Sequence, residues 1–105
     1  MNKPTKKTKS YYDYNQCRNY LQEKYGYDER DYAGRFKNRG EDLPYQDFWH
    51  WVIKRHEVHN GCFIIFSKEN LEEDSETEDW VKEIYKHYID EFADENGELE
   101  MYCWW

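Results

Sequence analysis

The sequence predicts an α+β fold, a small single domain of about three helices packed on a short two-stranded sheet. Three observations carry this. Apolar side chains recur at helical spacing in three separate stretches, and two further stretches read as strands. The 105 residues include 5 Trp, 11 Tyr and 5 Phe, enough ring surface for the core of one small domain and too much for a chain disordered throughout.

Residues 1–10 hold Lys3, Lys6, Lys7 and Lys9 with Pro4 and two Thr, and read as a flexible basic tail ahead of a domain over 11–105. Asp13 stands as an N-cap, Tyr14, Cys17, Leu21 and Tyr25 recur at helical spacing, and Gly26 is a stop. A first helix over 13–25 follows. Asp28 starts a single helical turn that closes by Gly34, and 35–42 reads as an exposed loop. Asp42-Leu43-Pro44 opens a second helix over 44–57, because Pro is tolerated in the first turn. Tyr45, Phe48, Trp49, Val52, Ile53 and His56 share one of its faces, and Asn60-Gly61 ends it and turns the chain.

Cys62 to Phe66 is an unbroken apolar run of β-branched and aromatic residues, so it reads as a strand buried on both faces. Residues 67–76 read as a polar, acidic loop. Thr77 or Ser75 caps a third helix that runs to about residue 95, where Asn96-Gly97 stops it. Its buried stripe is Val81, Ile84, Tyr85, Tyr88 and Phe92, joined by Trp80 and Ile89. Glu98 to Trp104 alternates polar with apolar, a half-buried strand with Leu99, Met101 and Cys103 inward. Trp105 is expected on that inward face, with the terminus docked. The connection between the strands allows a parallel crossover or an antiparallel pair. A sheet this small needs helices over it, or an edge that pairs with another chain.

Composition narrows the setting. The longest apolar run has five residues, far short of the roughly 20 needed to cross a membrane. The basic N-terminus leads into no apolar stretch, which reads against a secretory signal. Cys17, Cys62 and Cys103 are an odd, widely spaced set at apolar-phase positions, so they read as reduced, buried small hydrophobes in a cytosolic protein.

Charge is the most informative feature. Residues 1–61 carry 12 basic and 9 acidic side chains, net +3, whereas 62–105 carry 3 basic and 14 acidic, net −11, all of the latter acids between Glu69 and Glu100. Part of this has a local reason. Glu78 pairs with Lys82 and Glu83 with Lys86 along the helix, and Glu78 and Asp79 sit at its positive dipole end. Asp90, Glu91, Asp94 and Glu95 have no such reason. They crowd the negative end, and Asp90/Asp94 and Glu91/Glu95 are like-charge pairs that cost a few tenths of a kcal/mol each. Glu72, Glu73, Asp74 and Glu76 form a second acidic run. These eight residues are the candidate contact surface for a protein partner with a basic face. The alternative is a surface that serves solubility.

Mimicry of duplex DNA does not follow. The third predicted helix is about 27 Å long at 1.5 Å per residue. It carries net −5 between residues 77 and 95, where duplex DNA carries on the order of 15 charges. Direct nucleic-acid binding is opposed by the net charge of −8. The chemistry-bearing alternative is a small metal-dependent, nuclease-like enzyme using His56 and His59, with Cys62 three residues further on. Imidazole and thiolate are good zinc ligands, but this run crosses a helix end, a turn and a strand start, and has no second ligand cluster. His59-Asn60 is similar to the His-Asn elements of one-metal nucleases without their strand-helix order. No phosphate-binding glycine loop or dinucleotide motif is present. The expected site is therefore non-catalytic, with no metal and no cofactor.

The segments 24–34 (Lys-Tyr-Gly-Tyr-Asp-Glu-Arg-Asp-Tyr-Ala-Gly) and 44–51 (Pro-Tyr-Gln-Asp-Phe-Trp-His-Trp), with Asn60-Gly61, resemble small proteins of bacteriophages and mobile elements. The resemblance covers about a third of the chain and brings no catalytic residues. It implies a cytosolic, non-enzymatic inhibitor of a host enzyme or defence system, of the anti-CRISPR kind.

Overall fold

The computed structural model describes residues 3–7, 10–26, 48–73 and 79–104. Its elements run β1 (Tyr12–Asp13), α1 (Tyr14–Tyr25), α2 (Phe48–His56), β2 (Cys62–Ser67), α3 (Lys68–Glu73), α4 (Asp79–Phe92) and β3 (Glu98–Cys103). The sheet has the order β1-β3-β2. β3 pairs parallel with the short β1 and antiparallel with β2, Cys62 opposite Cys103 through to Ser67 opposite Glu98. The α+β class is as the sequence predicts, with one more strand and one more helix among the described residues.

α1 follows from its caps. The Asp13 carboxylate accepts from the Gln16 N–H at 3.1 Å, and Gly26 takes the left-handed conformation at φ 70° and donates its N–H to Gln22 O. Tyr14, Cys17 and Leu21 are buried, while Tyr25, placed in the same stripe by spacing, is exposed. Asp13 also belongs to β1, a strand too short to show as a pattern in the sequence.

The single predicted turn at 28–34, the loop over 35–42 and the Pro44 start of the second helix lie outside the described residues. α2 ends at His56, within a residue of its expected end at 57, through its own closure ahead of Asn60-Gly61. The Val58 N–H reaches Ile53 O at 3.2 Å while Glu57 sits at φ 51°, the six-to-one closure of a Schellman motif with a non-glycine at its left-handed position.

Two expectations between α2 and α4 are corrected. β2 is buried on one face only: Ile64 and Phe66 are inside, but Phe63 is 53% and Ile65 46% exposed. An unbroken apolar run does not reveal how many faces are covered, and here the buried residues of the described helices pack with Ile64 and Phe66 on one face. The loop expected over 67–76 contains α3. Ser67 Oγ accepts from the Asn70 N–H at 3.1 Å, a cap that starts a helix directly from the strand.

The predicted caps Ser75 and Thr77 lie outside the described residues. α4 stops at Phe92, three residues before its expected end. Beyond it Asp94 holds a tight turn, its carboxylate accepting from the Asn96 N–H at 2.8 Å and the Glu98 N–H at 3.1 Å, with Gly97 at φ 76°. β3 behaves as its alternation predicts: Leu99, Met101 and Cys103 are buried.

The core forms between the helices and the inner face of the sheet. Tyr88 of α4 stacks on Tyr14 of α1 at 5.6 Å and on Phe48 of α2 at 5.7 Å, so one ring ties three helices together. Phe66 of β2 stacks on Tyr85 at 4.4 Å and meets Tyr88 edge-on. Each such pair contributes about 0.5–1.5 kcal/mol beyond the area it buries. No helix among the described residues is long and apolar enough to cross a membrane.

Candidate interaction surface

The carboxylates selected by charge do not share one environment. The side chains of Glu72 and Glu73, and residues Asp74 and Glu76, lie outside what the structure describes. Asp90, Asp94 and Glu95 are exposed, the last two in the turn that follows α4.

Glu91 is drawn back into the molecule. Lys24 Nζ donates to its carboxylate, Tyr25 Oη donates at 3.0 Å, and Lys3 Nζ lies 3.5 Å away. The Lys24 hydrogen bond holds the Glu91 carboxyl below its ordinary range and raises Lys24 in turn. The basic front half therefore neutralises one of the candidate residues, and Lys3, from the predicted tail, takes part. Lys3 also lies over Phe92 at 5.3 Å, and Lys7 bridges to Tyr11.

The outer face of the sheet adds what charge counting missed. Antiparallel pairing places Phe63 opposite Tyr102 and Ile65 opposite Glu100. Tyr11 meets Phe63 at 5.0 Å and Tyr102 at 6.0 Å, and Phe63 meets Tyr102 at 5.0 Å, so three rings form one cluster on the uncovered side. Trp104, 59% exposed, continues the same phase of β3. Its backbone is held, since Asn15 Nδ2 donates to Trp104 O at 2.7 Å, so the docked terminus expected from the sequence applies to the chain and not to this ring. Trp105 lies outside the described residues. Gly61 permits the arrangement. Its φ is 82°, a left-handed conformation that glycine adopts without strain.

Exposed Glu98 and Glu100 share this outward phase with Tyr102 and Trp104. A groove of about 150 Å³ connects Ile65, Glu98 and Glu100 to Asp94, Lys6 and Ser10. Acidic and apolar groups thus meet on one surface. The alternation of 98–104 was the signal for it in the sequence, since it puts Glu98, Glu100, Tyr102 and Trp104 on one face.

His56 and His59 do not form a shared site. The His56 ring stacks on Phe66 at 5.2 Å and meets Trp51 edge-on, and burial pushes its pKa down to about 4. Its Nε2 is buried without a hydrogen-bond partner among the described residues. His59 is exposed, and its backbone N–H donates to Cys62 Sγ at 3.3 Å. No group of three or more His, Cys, Asp or Glu side chains is placed to hold a metal ion among the described residues. The three cysteines are free thiols. Cys17 and Cys103 are buried, which pushes both pKa values up, to about 12 for Cys103 and further for Cys17, the opposite of what a thiolate nucleophile requires. Comparison with protein-family models, curated proteins and solved structures found no match to this chain.

Proposed function

We propose that this protein is a non-enzymatic binding protein of the cytosol, an inhibitor of phage type that docks on a basic or nucleic-acid-handling host protein. The observation that carries the reading is the exposed Ile65–Glu100 pair. It brings the acidic character of the back half onto the same face as Phe63 and Trp104. Carboxylates steer a basic partner and set the salt dependence of encounter, while large apolar side chains provide the affinity once water is excluded. Of the acids selected from the sequence, Asp94 lines the same groove as Ile65 and Glu100, Asp90 and Glu95 are exposed, Glu91 is the weakest contributor because Lys24 and Lys3 occupy it, and Glu72, Glu73, Asp74 and Glu76 are included on the sequence alone.

The test is capture from host lysate treated with nuclease. Wild type should retain basic proteins that elute as salt rises. The Asp90→Lys, Glu95→Lys, Glu100→Lys triple variant changes exposed side chains and should keep the wild-type circular dichroism while losing the same proteins at least tenfold, about 1.4 kcal/mol or more. Capture that is unchanged by the triple variant, or indifferent to salt, sinks the acidic docking face.

A further inference from the structure

We propose that the outer edge of β2, unpaired among the described residues, is a self-association edge, pairing antiparallel with β2 of a second copy of this chain.

The hydrogen-bonding phase of β2 shows which residues face outward. The Lys68 N–H donates to Gly97 O at 2.8 Å, just past the Ser67–Glu98 pair, so the alternation of an antiparallel ladder turns the backbone groups of Phe63, Ile65 and Ser67 away from β3. The Ser67 N–H is already taken, donating to Tyr85 Oη at 2.8 Å. That leaves Phe63 and Ile65 as the pairing residues of an edge whose far end is closed.

The two outer strands of the sheet are treated differently. β1 is two residues long, and the segment before it brings Lys3 and Lys6 over the neighbouring rings of Phe92 and Tyr12. A short strand with lysines beside it is how natural proteins blunt an edge. β2 is six residues long, Cys-Phe-Ile-Ile-Phe-Ser, with no charge and no Pro. One blunted edge and one open edge give a closed twofold dimer, whereas two open edges would give a fibre.

A second copy fits this strand by charge and by register. Two chains of net charge −8 repel, and the uncharged β2 is where they can approach. The nearest outward carboxylate, Glu100, lies one strand further in, opposite Ile65. Three strand spacings would separate it from its copy, about 14 Å and beyond the Debye length of physiological salt. Opposed residues must point to the same face, and Ser67 is unavailable, so the twofold passes through Ile64. Phe63 then faces the partner copy's Ile65 on the outer side, an aromatic against β-branched pair, and Phe66 faces Cys62 on the inner side. Five paired residues a side lie well below the roughly 20–30 of a standard interface, so the association is weak and concentration-dependent.

Sedimentation equilibrium in reducing buffer from about 1 µM to about 200 µM tests it. Wild type should move from monomer towards twice the monomer mass, and Ile65→Lys, at an exposed position, should stay monomeric with unchanged circular dichroism. Register is read in a Cys62→Ser background, where the Phe63→Cys, Ile65→Cys double variant should form a covalent dimer on oxidation faster than either single variant. A monomer across the whole range, association that survives Ile65→Lys, or fastest cross-linking by a single variant overturns the proposal.

Discussion

His56 is a side chain whose chemistry is set wholly by its neighbours. Between Phe66 and Trp51 its imidazole is held neutral, with a pKa near 4 against an ordinary 6.5. A pKa depressed in the fold means the unfolded chain takes up the proton first. Stability is therefore unaffected by this group above pH 6.5, falls as pH drops from 6.5 to about 4, and then levels off. The full loss is on the order of 3 kcal/mol. His87, lowered chiefly by burial, adds to the same slope. His56→Phe keeps the ring stack and removes the titration, so urea unfolding followed between pH 7 and pH 4 should show a distinctly shallower decline than wild type. An equally steep decline would show that His56 is not held neutral. Glu91 shows the same dependence on neighbours in the other direction: in the sequence it is one half of a repulsive pair, and in the fold it is the acceptor for Lys24 and Tyr25.

Among the elements, helix ends are where local chemistry and the finished fold part company. Asp13 and Gly26 bound α1 as their residue types predict. Glu57 does not follow type, since it occupies the left-handed closure of α2 where glycine is favoured. A left-handed L-residue costs roughly 1–2 kcal/mol, part of which glycine returns as unfolded-state entropy. Glu57→Gly should therefore stabilise the protein by about 0.5–1 kcal/mol, seen as a higher denaturation midpoint at constant m-value. Destabilisation would mean that the Glu57 side chain contributes more than its strained backbone costs. α3 makes the complementary point. Its start depends on Ser67, the last residue of a strand, and a cap in that position is invisible until the strand's end is known.

At the scale of the whole molecule, charge is segregated along the chain and, among the described residues, partly rejoined in space. Lys3 and Lys24 meet Glu91, while Asp79, Asp90, Asp94, Glu95, Glu98 and Glu100 are exposed. Salt screens the mutual repulsion of these exposed acids as well as the attraction within the Lys–Glu contacts, and the net charge of −8 makes repulsion the larger effect expected. Raising sodium chloride from about 10 mM to about 300 mM should raise Tm by a few degrees, equivalent to about 0.5–1 kcal/mol. A Tm that falls with salt would show that the Lys–Glu contacts dominate.

The sequence by itself determined the α+β class, the registers of α1 and of β3, and the buried identities of Tyr14, Cys17, Leu21, Leu99, Met101 and Cys103, because spacing and caps act within a few residues. It located an acidic back half, the charged part of the candidate surface. Tertiary structure alone decided that β3 is the central strand, that Cys62–Phe66 has one uncovered face, and that Glu91 is neutralised while Glu100 stands beside Ile65. Those outcomes depend on which elements lie against one another across long stretches of chain. An apolar run or a carboxylate carries no record of the partner that the fold will bring to it.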